Sequence, residues 1–197
     1  MNRPPFLFIP IGILLNLIGA FANSALKLPL FLDSIGTFLA AVTLGPWIGA
    51  AVGFLSNLIM GVVHTPVAIP FGIVNVLIGL VAGYLAKTRG FEDYLTPLTA
   101  GLVLGLLCPL ISTPIAVYLF GGVTGGNIDT YVSVLMESGH KIFSSAFLVR
   151  IAANLTDKLL SAFAVLIVIR QLPGRLKGMA AARKKSRKAD TRPAEKK

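Results

Sequence analysis

The sequence predicts an all-α integral membrane protein: about six transmembrane helices in a compact bundle, with both termini cytoplasmic. Three observations predict it. Only 13% of the 197 residues are charged and 55% are hydrophobic, whereas a soluble domain carries about 25% charge. Between residues 4 and 86 the charged side chains are Lys27 and Asp33 alone. A soluble fold of this length lacks the interior to bury such a stretch, so lipid is its expected solvent. Finally, the formal charge of +10 is concentrated near the C-terminus, as topology signals are, rather than spread as in a nucleic-acid binder. Residues 1–172 are read as a six-helix transmembrane domain and 173–197 as a basic, disordered cytoplasmic tail.

A membrane helix needs about 17–25 apolar residues, and six segments approach that length. The first, 6–26, holds Asn16 and Asn23. Arg3, the apolar core and Ala20-Phe21-Ala22 have the outline of a cleavable leader, but Pro4, Pro5, Pro10 and Asn16 interrupt it and favour retention. Segments 29–45 and 47–63 are short and separated by Gly45-Pro46, which predicts a tight helical hairpin. His64-Thr65-Pro66 ends the third segment, and 67–86 is the fourth. Lys87 to Tyr94 form the first polar loop, followed by segments 96–120 and 147–170.

Lys and Arg set the orientation. With both termini inside, the cytoplasmic side receives 14 basic and four acidic residues, and the outside four of each. The whole net charge then lies on one face, where the tail meets anionic lipid. No nucleic-acid partner is needed to explain it. Cys108 is the single cysteine, which excludes a disulfide framework.

Small residues recur every four positions at Ala41, Gly45, Gly49 and Gly53, with Gly79/Gly83 and Gly101/Gly105 as similar pairs. Such stripes let helices approach closely, either within the chain or against a partner. Gly45, Gly49 and Gly53, with Gly19, Ala20 and Ser24 on the first helix, are the candidate partner-docking faces. Asn16, Asn23, Asn57 and Asn75 are amides in apolar helices, suited to stapling helices together or lining a cavity. Arg150, Asn154, Asp157 and Ser161 recur at spacings of four, three and four, which is one helix face, with Lys158 beside it. An Arg or Asp at the centre of a membrane helix costs about 2.5–3.5 kcal/mol on insertion scales, so this face must meet protein or water. Two structural readings accompany the ligand-binding one: an Arg150–Asp157 network bridged by Asn154, or a helix starting at Asn154. The Gly/Thr-rich segment 121–141 reads as a mobile lid over an outward pocket. His64 and His140 lack metal-ligand spacing, so no metal or cofactor is expected. The sequence contains no P-loop, H-E-x-x-H or G-x-S-x-G motif, so an enzyme is not expected.

Leu28-Pro29-Leu30-Phe31-Leu32-Asp33-Ser34-Ile35-Gly36-Thr37, then Leu44-Gly45-Pro46-Trp47-Ile48-Gly49-Ala50-Ala51-Val52-Gly53, Ile69-Pro70-Phe71-Gly72-Ile73-Val74-Asn75 and Asp157-Lys158-Leu159-Leu160-Ser161 follow one another in order. Over residues 5–172 this resembles the S components of energy-coupling factor (ECF) vitamin transporters. The resemblance implies a six-helix protein of a prokaryotic cell membrane. It would bind a vitamin or related micronutrient from outside, then deliver it with a transmembrane coupling protein and a pair of ATPases. By position, Asp33, Thr37, Asn75, Arg150, Asn154 and Asp157 are the expected substrate-binding residues. Where such proteins carry Ala-x-x-x-Ala on helix one, this chain has Ala20-x-x-x-Ser24. A membrane sensing module or a self-sufficient small-solute carrier are the alternatives.

Overall fold

A computed structural model describes residues 8–171. Arg3 and the basic tail 173–197 lie outside the described residues. Seven helices follow one another: α1 (Phe8–Ala25), α2 (Ile35–Leu44), α3 (Pro46–Val63), α4 (Gly72–Arg89), α5 (Leu95–Phe120), α6 (Asp129–Glu137) and α7 (Ile142–Gln171). No strand occurs among the described residues. α1 to α4 pack on one another, α5 lies along α7, and α2 and α4 join the two groups. Phe38, Ile78, Leu104, Cys108, Val165 and Leu166 fill the seam between them.

Glycine sets the close crossings. A Cβ on Gly36 would sit 1.8 Å from the Gly12 carbonyl oxygen, so α1 and α2 cross backbone to backbone. Gly79 faces the Gly49–Ala50 backbone in the same way, with a virtual Cβ 2.2 Å from the Ala50 nitrogen. Lipid supplies no hydrophobic force between helices, so this contact area must come from backbone proximity. Gly101 and Gly105 admit Leu159 and Leu155 of α7.

Three segment boundaries differ from the sequence expectation. The second segment is helical only over the ten residues Ile35–Leu44. Pro29 cannot donate in a helix interior, and residues 28–34 instead form an irregular strap, with Leu32 at φ 52°. Its backbone groups take side-chain partners: Asp157 Oδ1 accepts from the Leu32 amide (2.7 Å) and the Phe31 amide (3.3 Å), while Asn23 Nδ2 donates to the Leu30 carbonyl (2.7 Å). Irregular backbone persists at membrane depth only when protein satisfies it in this way. In the fourth segment a single 3₁₀ turn, Pro66–Ala68, precedes α4, whose start is delayed to Gly72 after Pro70. The sixth segment runs unbroken from Ile142 to Gln171, so Asn154 does not begin a helix.

The segment 121–141 contains α6, which the sequence reading did not anticipate. Among the described residues four helices are long and apolar enough to cross a membrane: α1, α3, α5 and α7. α2, with ten residues, spans only about 15 Å at 1.5 Å per residue, and α4 ends on Lys87 and Arg89. Six full spans are therefore not met by length and composition alone. At the far end of the bundle Arg170 of α7 donates to the Glu92 carbonyl (2.9 and 3.2 Å) and the Tyr94 hydroxyl (3.1 Å), tying the α4–α5 loop to the last turn of α7.

Candidate ligand cavity

A cavity of about 470 Å³ opens among α1, α3, α4 and α7, roofed by the strap and by residues 124–128. Its formation starts with Asn16. This α1 amide is 1% exposed and fully engaged. Nδ2 donates to the Thr37 (2.8 Å) and Ser56 (2.9 Å) hydroxyls, and Oδ1 accepts from the Gly36 (2.7 Å) and Thr37 (3.2 Å) amides. Ser34 precedes α2 without a side-chain cap, so Asn16 caps α2 from a neighbouring helix. Asn75 of α4 continues the wall, donating to Asn57 Oδ1 and to Asp33 Oδ2 (3.3 Å).

Two cations of α7 reach the cavity and meet opposite circumstances. Lys158, 2% exposed, is compensated: Nζ bonds Asp157 Oδ2, donates to Ser34 Oγ (2.9 Å) and lies 3.8 Å from Asp33. Arg150, 1% exposed, has no carboxylate within 4.0 Å among the described residues. Its Nη2 donates at 3.4 Å to the Thr124 hydroxyl, its guanidinium lies 5.6 Å from the centre of the Phe71 ring, and Nε has no partner. Leaving a buried charge without its counter-charge costs several kcal/mol.

Six buried side-chain polar atoms among the described residues lack a partner, and four belong to cavity-wall residues: Asn23 Oδ1, Asn75 Oδ1, Ser112 Oγ and Arg150 Nε. Each such group costs about 1–3 kcal/mol when left unmade. The side chains that carry them border one void, although the four atoms themselves are sealed from it. Phe21, Phe31 and Phe71 supply apolar faces beside them.

Of the expected binding residues, Asp33, Asn75, Arg150 and Asn154 line the cavity. Thr37 and Asp157 do not. Both are 0% exposed; Thr37 is held by Asn16, and Asp157 holds the strap and Lys158. The bridged Arg150–Asp157 network is absent, because Asn154 Nδ2 turns back to the Arg150 carbonyl (2.8 Å) and Asp157 turns to Lys158. The sequence reading set Lys158 beside the polar face, yet it lines the cavity, as do Asn16, Asn23, Asn57 and Ser112. A lysine next to an aspartate in an otherwise apolar helix was the available signal for it.

Several glycines of the small-residue faces make contacts within the chain. Gly19 abuts the Leu32 carbonyl, Gly49 rests on Ala41, Gly53 meets the Asn75 backbone, and Gly45 makes the α2–α3 turn at φ 105°. Ala20 and Ser24 face the cavity. Gly49 and Gly53 are thus buried in internal crossings, whereas Ser24 is exposed and Gly19, Ala20 and Gly45 are partly so. Among the described residues no group of three or more His, Cys, Asp or Glu side chains is placed to hold a metal.

The family model of the ECF-type riboflavin transporter, S component, matches residues 11–173. The chain belongs to that family. It is thus a substrate-specific subunit of a membrane transporter rather than an enzyme, and the cavity lies wholly within the matched region. No curated protein and no solved structure matches the chain.

Proposed function

We propose that this S component binds riboflavin in the 470 Å³ cavity and delivers it inward with a transmembrane coupling protein and a pair of ATPases. The observation that carries the reading is a wall that sets the polar side chains Asn23, Asn75, Ser112 and Arg150 beside the rings of Phe21, Phe31 and Phe71. Riboflavin is a flat tricycle with an imide edge and a hydroxylated chain. Aromatic faces suit the tricycle, while Asn23 and Asn75 oxygens accept from an imide N–H or chain hydroxyls, and Ser112 and Arg150 donate to carbonyl oxygens. Asp33, Asn154 and Lys158 complete the polar wall; Thr37 and Asp157 act from behind it by fixing α2 and the strap. In this reading α2 with the strap, and α4, complete six crossings. Both termini face the cytoplasm of a prokaryotic cell, and the basic tail contacts anionic lipid. ATP hydrolysis belongs to the partners, since this sequence has no P-loop.

Flavin fluorescence gives the test. Riboflavin added to the purified full-length protein in mild detergent should be quenched saturably at one-to-one stoichiometry. Affinity purification from native cells should also recover a polytopic coupling protein and P-loop ATPases. Saturable uptake by the purified chain alone in liposomes would instead establish a self-sufficient carrier, and recovery with a signalling kinase a sensor.

A further inference from the structure

Arg150 separates the two ends of the cavity chemically. Lys158 lies eight residues along α7, about 12 Å away at 1.5 Å per residue, and its charge is answered by Asp33 and Asp157. Among the described residues no carboxylate contacts Arg150 directly. The acidic group in its neighbourhood is Asp129, whose oxygens are already taken: Oδ2 accepts from the Thr124 (2.7 Å) and Gly126 (3.0 Å) amides, and Oδ1 from the Thr124 hydroxyl (3.3 Å). That arrangement orients Thr124 so that its hydroxyl oxygen receives Arg150 Nη2. Asp129 therefore positions the cavity roof, and its charge acts on Arg150 only from beyond 4.0 Å, without direct contact. The guanidinium is 1% exposed, lines the void, and keeps Nε unpartnered. Riboflavin is neutral and cannot compensate it.

We propose that Arg150 and Thr124 form an oxyanion subsite within the cavity, taking a phosphoryl or carboxylate group beside the flat ring. The inference rests on the cavity being the flavin site. The planar fork of a guanidinium matches such a group, and a hydrogen bond between two charged partners is about twice as strong as a neutral one. The oxyanion has two sources: a phosphate carried by the flavin itself, or a free anion bound together with the neutral vitamin.

Full-length protein purified in phosphate-free detergent buffer distinguishes them. Riboflavin and riboflavin 5′-phosphate are titrated against wild type and Arg150→Met by fluorescence quenching, and riboflavin again with added inorganic phosphate. If the phosphate is carried by the ligand, Arg150→Met weakens the phosphorylated flavin at least about tenfold more than riboflavin, the loss of one charge-assisted contact. If the anion is free, inorganic phosphate tightens riboflavin binding to wild type and not to the variant. Equal weakening of both flavins, with no effect of phosphate, overturns the subsite. Should Arg150→Met fail to fold, Arg150→Lys takes its place. It keeps the charge but loses the fork, and must lose more affinity for the phosphorylated flavin than for riboflavin. If no flavin binds at all, the flavin reading fails, and the unfolding midpoint decides the subsite separately. Phosphate must then stabilise wild type more than the Arg150 variant, and no such difference overturns it.

Discussion

Replacing Asp157 by Asn tests the charge cluster behind the cavity. The change is nearly isosteric and keeps Oδ1 as an acceptor for the Leu32 amide, now 2.7 Å away. It removes the carboxylate oxygen bonded to Lys158 and sets an NH₂ group against the ammonium. Lys158 is then left with the Ser34 hydroxyl at 2.9 Å and Asp33 at 3.8 Å. Breaking one side of a buried ion pair costs about 3–5 kcal/mol. At about 2–4 °C per kcal/mol for a chain of this size, the unfolding midpoint should fall by roughly 6–20 °C. The protein carries its own reporter: Cys108, the single cysteine, is 0% exposed, so a thiol-reactive dye reads unfolding in detergent. Lys158→Met completes the comparison. The double variant should be less destabilised than the two single effects added together, by about 0.5–3 kcal/mol of coupling. A shift below about 1 kcal/mol for Asp157→Asn, or strict additivity, would refute the pairing.

Asn16→Leu leaves the Gly36 and Thr37 amides without acceptors, at about 1–3 kcal/mol each. The same thiol assay should show it as destabilised even without ligand. Gly79→Ala drives a Cβ to 2.2 Å from the Ala50 nitrogen, so the yield of monodisperse protein should collapse, whereas Gly125→Ala, with open space around its Cβ position but φ +78°, should cost only the modest strain of that conformation. Asn75→Ala should weaken riboflavin about tenfold or more, as the loss of one or two hydrogen bonds requires, measured by fluorescence titration. Ser112→Ala and Thr113→Val form a contrasting pair, since both hydroxyls are buried and unpartnered but only Ser112 lines the cavity. Both should leave the unliganded protein as stable as before or more so, and only Ser112→Ala should reduce affinity.

Much of the architecture was legible because lipid imposes a simple rule: long uncharged stretches must be helices. α1, α3 and α5 fall close to the expected segments for that reason. The strap was not legible, because Leu30, Phe31 and Leu32 are as apolar as any helical residues, and their irregular backbone depends on Asp157, about 125 positions away. α6 was missed because its nine residues are few and mixed in character. At the site, periodicity on α7 identified Arg150 and Asn154, while spacing could not tell a wall residue from one behind the wall. Asp157 and Lys158 are adjacent, yet one is sealed against the strap and the other lines the void.

The sequence by itself determined the solvent, the helical class and the stripe of α7 that had to face protein, because each follows from composition or short-range periodicity, and the family, because its motifs follow one another in order. Tertiary structure alone decided which glycines serve internal crossings, that Asn16 caps a helix other than its own, and that Lys158 finds its counter-charges while Arg150 does not. Those outcomes depend on distances between residues remote in the chain. Burial magnifies each one, because polar groups away from water must find partners in the protein or in a ligand.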